Sequence, residues 1–214
     1  MEELIGLFAE RYPLQKIDVG EFAKMKVSPM KVEIEAYDIP SLGRLSYLKG
    51  KAMLGLMKME SLILAPKERD FPLFNCDSMK IGKKKTVLLI ELYDTCKEKT
   101  SYPNLAAAKE RFSSCSPYPQ KSAWYDSLKR EESVAVVSKG KNDFPSLAKG
   151  YVEALLKDLE EAKAILPGEK NPLNKVYVDG LLENGGASTD VFLKRLGKEK
   201  TSMLFHRFLF GTEE

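Results

Sequence analysis

The chain has 214 residues, 43% of them apolar and 30% charged, and a formal net charge of +3. That is long enough for a sizeable core and too well patterned for a disordered chain. The excess of base is too small for a nucleic-acid binder and no apolar run approaches a membrane span, so neither nucleic acid nor membrane is expected as a partner.

Taken in order, Leu4, Ile5, Phe8 and Ala9 share a helical face that ends near Tyr12-Pro13. Lys31 to Tyr37 alternates apolar and polar residues, the period of a half-buried strand, and Gly43 to Leu48 is a less regular one. Met53 to Ala65 predicts a longer strand, with charges at Lys58 and Glu60 on its open face. The apolar run closes at Pro66, a charged turn follows, and Phe71-Pro-Leu-Phe74 leads to the carboxylate of Asp77. Lys80 to Lys85 reads as a basic turn, and Thr86 to Leu92 as the next strand. Turns at such short intervals predict an antiparallel meander.

Leu105 to Phe112 fits a helix, Ser113 to Pro119 a loop, and Ser133 to Val137 one further strand. Phe144 to Leu166 then has helical spacing and is predicted to end at Pro167-Gly168. A short helix is expected over Leu173 to Leu182. Ser188-Thr189-Asp190 offers caps for another, stopped or bent at Gly197, and Thr201 to Phe210 closes the chain with an apolar run. No repeat or linker interrupts this order, so residues 1–214 are expected to form one domain. Central strands followed by helices give an α+β architecture, a sheet with helices on both faces.

Three cysteines, Cys76, Cys96 and Cys115, are too few and too scattered for a disulfide framework or a metal centre. The acidic start and the missing signal-peptide pattern make a cytoplasmic location the expectation. His206 is the single histidine, so a two-histidine metal site is excluded, and no phosphate-binding glycine motif occurs. Asp77 has two readings: a turn aspartate capping the basic loop, or a carboxyl kept protonated by apolar neighbours and by Glu60, Glu91 and Asp94. Asp190 is locally a helix cap. Met53, Met57, Met59 and Met79 read as core filler. The lysines of 80–85, and Lys194 with Arg195, read as solvated faces or as partners for the carboxylates of a ligand or an acidic protein.

The strand Leu62 to Ala65 with Pro66, the Phe71-to-Asp77 segment and the strand after it resemble the ferredoxin-dependent bilin reductases, the family of red chlorophyll catabolite reductase. Asp190-Val-Phe-Leu-Lys-Arg-Leu-Gly197 and the closing Leu209-Phe210 extend the resemblance to the C-terminal part. It implies a three-layer α/β/α sandwich with a central antiparallel sheet. A linear tetrapyrrole such as biliverdin would lie between the sheet and the C-terminal helices. It also implies single electrons from external ferredoxin, no metal or flavin held by the protein, and acidic side chains as proton donors.

On that resemblance Asp77 matches the central catalytic aspartate and Asp190 a second acid. Ser61, Lys194 and Arg195 would meet the substrate, and Lys83, Lys84 and Lys85 would meet ferredoxin. Ser61 stands where the phycocyanobilin-forming branch has histidine. That branch's upstream glutamate has no counterpart among Lys49, Gly50 and Lys51, and its Trp-Gly segment is reduced to Trp124-Tyr125. The alternative to an oxidoreductase is a protein that holds a tetrapyrrole or another flat apolar ligand without turnover. A third reading, an interaction protein with no small ligand, would show a closed sheet–helix interface with Asp77 paired to a lysine.

Overall fold

The protein is described by a computed structural model over residues 1–27, 29–82, 84–140, 143–186 and 189–213. Among these residues, nine strands make one sheet: β1 (Gln15–Ile17), β2 (Lys24–Val27), β3 (Met30–Ile39), β4 (Gly43–Ala52), β5 (Met57–Pro66), β6 (Leu73–Ile81), β7 (Lys85–Tyr93), β8 (Ser116–Pro117) and β9 (Val134–Ser138). β3 to β7 are consecutive antiparallel hairpins; β1 and β2 share the outer edge of β3, and β9 joins β7 with β8 beyond it. Five helices accompany the sheet: α1 (Glu2–Ala9), α2 (Pro103–Glu110), α3 (Phe144–Glu161), α4 (Pro167–Asn184) and α5 (Thr189–Met203). A π-helical segment, Leu204–Leu209, follows.

The side-chain period of two sends alternate residues to two cores. Tyr47, Leu62, Leu64, Phe74, Cys76, Leu88, Ile90 and Leu92 pack under α1, α2 and α3. Leu48, Ile63, Ala65, Leu73 and Tyr93 pack under α4, α5 and the π-helical segment. The architecture is therefore the expected three-layer α/β/α sandwich around an antiparallel sheet. Strands covered on both faces read as unbroken apolar runs, which is why Leu62 to Ala65 stood out in the sequence.

Three expectations need correction. The strand expected over Met53 to Ala65 begins only at Met57; Met53 and Leu54 lie in a turn with positive φ, and Met53 is exposed rather than core filler. Asp77 is in the middle of strand β6, not in a turn. The third concerns Pro167. α3 stops at Glu161 because Lys163 to Ile165 run extended against Glu68 to Asp70, with Asp70 N donating to Lys163 O at 2.8 Å and Ile165 N to Glu68 O at 3.2 Å. Pro167 then opens α4, where the missing N–H costs nothing. α5 is bent at Gly197, whose φ of 78° no helix accommodates.

Arg44 and Ser46 clamp the C-terminal segment onto the sheet. Arg44 donates to the carbonyls of Arg207 and Phe208, and Ser46 Oγ donates to Leu209 O at 2.9 Å. His206 is buried beside this clamp, with Nδ1 2.7 Å from Thr212 Oγ1 and Nε2 3.2 Å from Asp179. That is a structural setting.

Candidate functional site

Strand register aligns the polar residues that the C-terminal layer covers. Leu48, Ser61, Asp77 and Leu89 stand side by side across β4 to β7. The next row on the same face is Ser46, Ile63, Asn75 and Glu91. Above them the layers separate and leave a narrow cleft open to solvent. Its floor includes Ser61, Asn75, Asp77 and Glu91. Its roof is Tyr177 and Leu181 of α4, Thr189 and Phe192 of α5, and Phe205, Leu209 and Phe210, with Gln120 and Tyr125 at one side. Aromatic walls around a few convergent polar groups are the usual build of a pocket for a flat organic ligand.

Asp77 is half-buried on this floor. Ser61 Oγ donates to Oδ1, and Asn75 Nδ2 donates to Oδ2 at 2.9 Å. Burial pushes its pKa up from 3.8 to about 6; the Ser61 and Asn75 hydrogen bonds pull down, and the Glu91 charge pushes up. In giving its N–H to Asp77, Asn75 leaves its own buried Oδ1 without a partner, so the amide is committed to the carboxyl. No cation pairs with Asp77 among the described residues.

Glu91, at 6% exposure, is anchored differently. Tyr93 Oη donates to it at 2.8 Å, Gln120 Nε2 at 2.9 Å, and the Lys129 ammonium lies 2.8 Å away. The cleft thus holds two carboxyls in unlike settings, one neutralised by a lysine and one with no cation beside it among the described residues and a pKa raised towards neutrality.

Trp124 and Tyr125 begin a short 3₁₀ turn, and the Trp124 indole N–H donates to Gly185 O at 2.9 Å, pinning the end of α4. Tyr93, Tyr125 and Tyr177 form one aromatic cluster with Trp124; the Tyr93 and Tyr177 rings are 4.4 Å apart.

Of the residues expected at the site, Ser61 and Asp77 meet on the floor. Asp190 does not join them: it is exposed in the first turn of α5, its carboxylate against Gly185, and its neighbour Thr189 lines the cleft instead. Lys194 and Arg195 also point away. Lys194 lies two steps of about 100° from the inward Phe192 and is exposed, while Arg195, on the same side of the helix as Phe192, is drawn off to the sheet edge, its Nε donating to Lys26 O at 2.9 Å. Lys84 and Lys85 are exposed at the β6–β7 turn; Lys83 lies outside the described residues. Glu60 faces the opposite core, where it accepts from Tyr47 Oη, and Asp94 pairs with Arg130.

Asn75, Gln120 and the aromatic roof were not singled out from sequence. The signal that held Asn75 is the alternation Leu73, Asn75, Asp77, Met79 against Phe74, Cys76, Ser78. Glu91 was visible only as a carboxylate close in sequence.

Fold and site together define an α/β/α sandwich whose antiparallel sheet offers an acid to a cleft beneath C-terminal helices. No model of a protein family matches the chain, and no curated protein matches it in sequence. Among solved structures it is similar to phytochromobilin synthase from tomato in complex with biliverdin. The TM-score is 0.77 at 12% identity, over 99% of this chain and 81% of that one. The likeness is one of fold, and the fold is the one that the sequence resemblance implied.

Proposed function

We propose that this protein binds a linear tetrapyrrole in the cleft and reduces it by single-electron steps, with Asp77 as the proton donor. One observation carries the reading: a carboxyl with a pKa of about 6, and no cationic partner among the described residues, lies on the floor of an aromatic-walled cleft. The shared fold with a protein that was solved holding biliverdin agrees with a pigment of that size and shape.

Each electron added to a conjugated tetrapyrrole makes it more basic, and two electrons with two protons complete the reduction of one double bond. Asp77 supplies a proton to the radical and is reloaded from water at the cleft mouth. Ser61 and Asn75 stabilise the carboxylate left behind, and Glu91 favours reprotonation. Glu91 enters this scheme as the charge beside Asp77 rather than as a second proton donor, held in place by Lys129, Gln120 and Tyr93.

Among the described residues no lysine or arginine lines the cleft, so the propionates of the pigment point to the mouth. Electrons come from an external acidic donor of the ferredoxin kind, the protein holding no redox cofactor itself. Lys84 and Lys85 are the docking residues of this scheme. They follow Ile81, which is four residues along β6 from Asp77, or roughly 13 Å.

Mixing the protein with biliverdin, reduced ferredoxin and a regenerating system, while recording visible spectra, tests the scheme. Stepwise loss of the long-wavelength band is expected, with Asp77→Asn binding the pigment but turning over about 10²–10⁴-fold more slowly. An absorbance shift without electron consumption would move the protein to the class of pigment carriers. No spectral change with any linear tetrapyrrole would sink both readings.

A further inference from the structure

The other face of the sheet, three residues along β5 and β6 from Ser61 and Asp77, presents a feature that the cleft does not use. Strand register places Lys26, Lys31, Lys51, Lys58 and Lys80 side by side on five adjacent strands, β2 to β6. All five are exposed, and among the described residues none forms an ion pair. The row spans roughly 19 Å, four inter-strand steps of about 4.8 Å. Like charges directly opposite one another weaken strand pairing, so folding alone does not account for an all-lysine row. In the row next inward the signs are mixed, Lys24, Glu33, Lys49 and Glu60, as sheet stability favours. Glu3 and Glu60 share a cleft with Lys58 and Lys80, and Glu2, paired to Lys49, lies within reach of the Lys51 charge.

Beyond the row, the β4–β5 turn carries its apolar side chains outward. Met53, Leu54 and Leu56 are 64%, 107% and 54% exposed, and Ile81 of the neighbouring hairpin adds 43%. Met53 and Leu54 hold φ of 50° and 54°, a left-handed conformation that residues with a β-carbon rarely adopt. Gly82 N donates to Leu56 O at 2.8 Å, fastening the two hairpin tips together. The result is a convex apolar tip, fixed in place and backed by a belt of lysines.

We propose that this end of the sheet docks on an anionic lipid surface, the Met53–Leu56 turn entering the headgroup boundary and the lysine row facing the phosphates. A protruding tip suits a deformable bilayer better than a protein, which would need a matching hollow. Lysine without arginine in the row suits a diffuse field of headgroups rather than paired recognition of single carboxylates. Such contact needs no spanning helix, and among the described residues no helix is long and apolar enough to cross a membrane.

Sedimentation of the full chain with vesicles of phosphatidylcholine alone, or with phosphatidylserine added, tests this. Binding to the anionic vesicles only, lost at high salt, is expected. Lys51→Glu with Lys58→Glu should weaken it on the order of 100-fold. Leu54→Ser should weaken it about 10-fold. These side chains are exposed, so circular dichroism should report an unchanged fold. Absence of vesicle binding, or equal binding to both vesicle types, overturns the proposal. So does Leu54→Ser binding that matches the parent while poly-glutamate captures the protein through the same lysines, which would assign the row to an acidic protein.

Discussion

The Asp77→Asn variant keeps the shape of the side chain and removes its titration, and its stability should therefore depend on pH in a way fixed by the cleft. In the unfolded chain the carboxyl ionises near 3.8, whereas burial in the folded protein raises this to about 6. Below about pH 4 the acid is protonated in both states and contributes no difference. Between the two values unfolding releases a proton, so wild-type stability falls as pH rises; above about 6 the whole penalty remains. At about 1.4 kcal/mol per tenfold change in proton affinity, the ceiling is roughly 3 kcal/mol. The cleft opens to water and Asp77 is only half-buried, which brings the expected value to about 1–2 kcal/mol. Asparagine escapes that penalty: its Oδ1 accepts from Ser61, and its Nδ2 donates to the Asn75 Oδ1 once the Asn75 amide turns over. Urea unfolding of both proteins across the range from about pH 4 to pH 8 should show equal stability in acid and a variant advantage of that size at neutral pH. A difference that does not vary with pH, or a variant less stable at the alkaline end, would refute the reasoning.

Ser61→Ala removes a donor to the ionised carboxyl, so the Asp77 pKa should rise further and the alkaline limb of turnover should move to higher pH; a limb moved downward contradicts the assignment. In Gly180→Ala the new β-carbon would lie 2.3 Å from Trp124 Cη2, forcing the indole off Gly185. A loss of about 1–3 kcal/mol is expected, with altered emission from the single tryptophan and weaker pigment binding. Lys129→Met leaves the buried Glu91 carboxylate without its cation and should cost about 2–4 kcal/mol by chemical denaturation, most of it recovered by adding Glu91→Gln. Failure of the second change to rescue the first would mean that Lys129 acts through Asp126 or packing instead.

What was legible in the sequence follows from burial. Thr86 to Leu92 read as a strand because Leu88, Ile90 and Leu92 pack under one helical layer while Val87 and Leu89 keep the other face apolar as far as Glu91. Leu73 to Ile81 did not, because the face turned to the cleft carries Asn75 and Asp77 where a core strand has apolar residues; the chemistry hid the period. Pro167 read as a stop because proline ends helices as readily as it begins them, and only the pairing of Lys163 to Ile165 with Glu68 to Asp70 decides between the two. Asp190 matched a motif in spacing, but one residue is 100° of helix, and the bend at the end of α4 gives the inward position to Thr189. The aromatic roof is assembled from three separate segments whose convergence no local pattern records.

The case for chemistry over mere storage rests on how Asp77 is kept. A protein that only held a flat ligand would gain from an apolar or amide side chain at that position, since the carboxyl lowers stability at neutral pH. Pairing with a lysine would serve equally, as Lys129 serves Glu91 in the same cleft. Instead Asp77 receives two neutral donors and, among the described residues, no cation, an arrangement that tolerates both protonation states without fixing either. A strained or destabilised group of this kind is what the trade-off between stability and activity produces. The same Asp77→Asn change should therefore raise the unfolding midpoint and depress turnover. If stability and turnover fell together, Asp77 would be a structural residue. If stability rose and turnover were unaffected, the proton would have to come from elsewhere in the cleft.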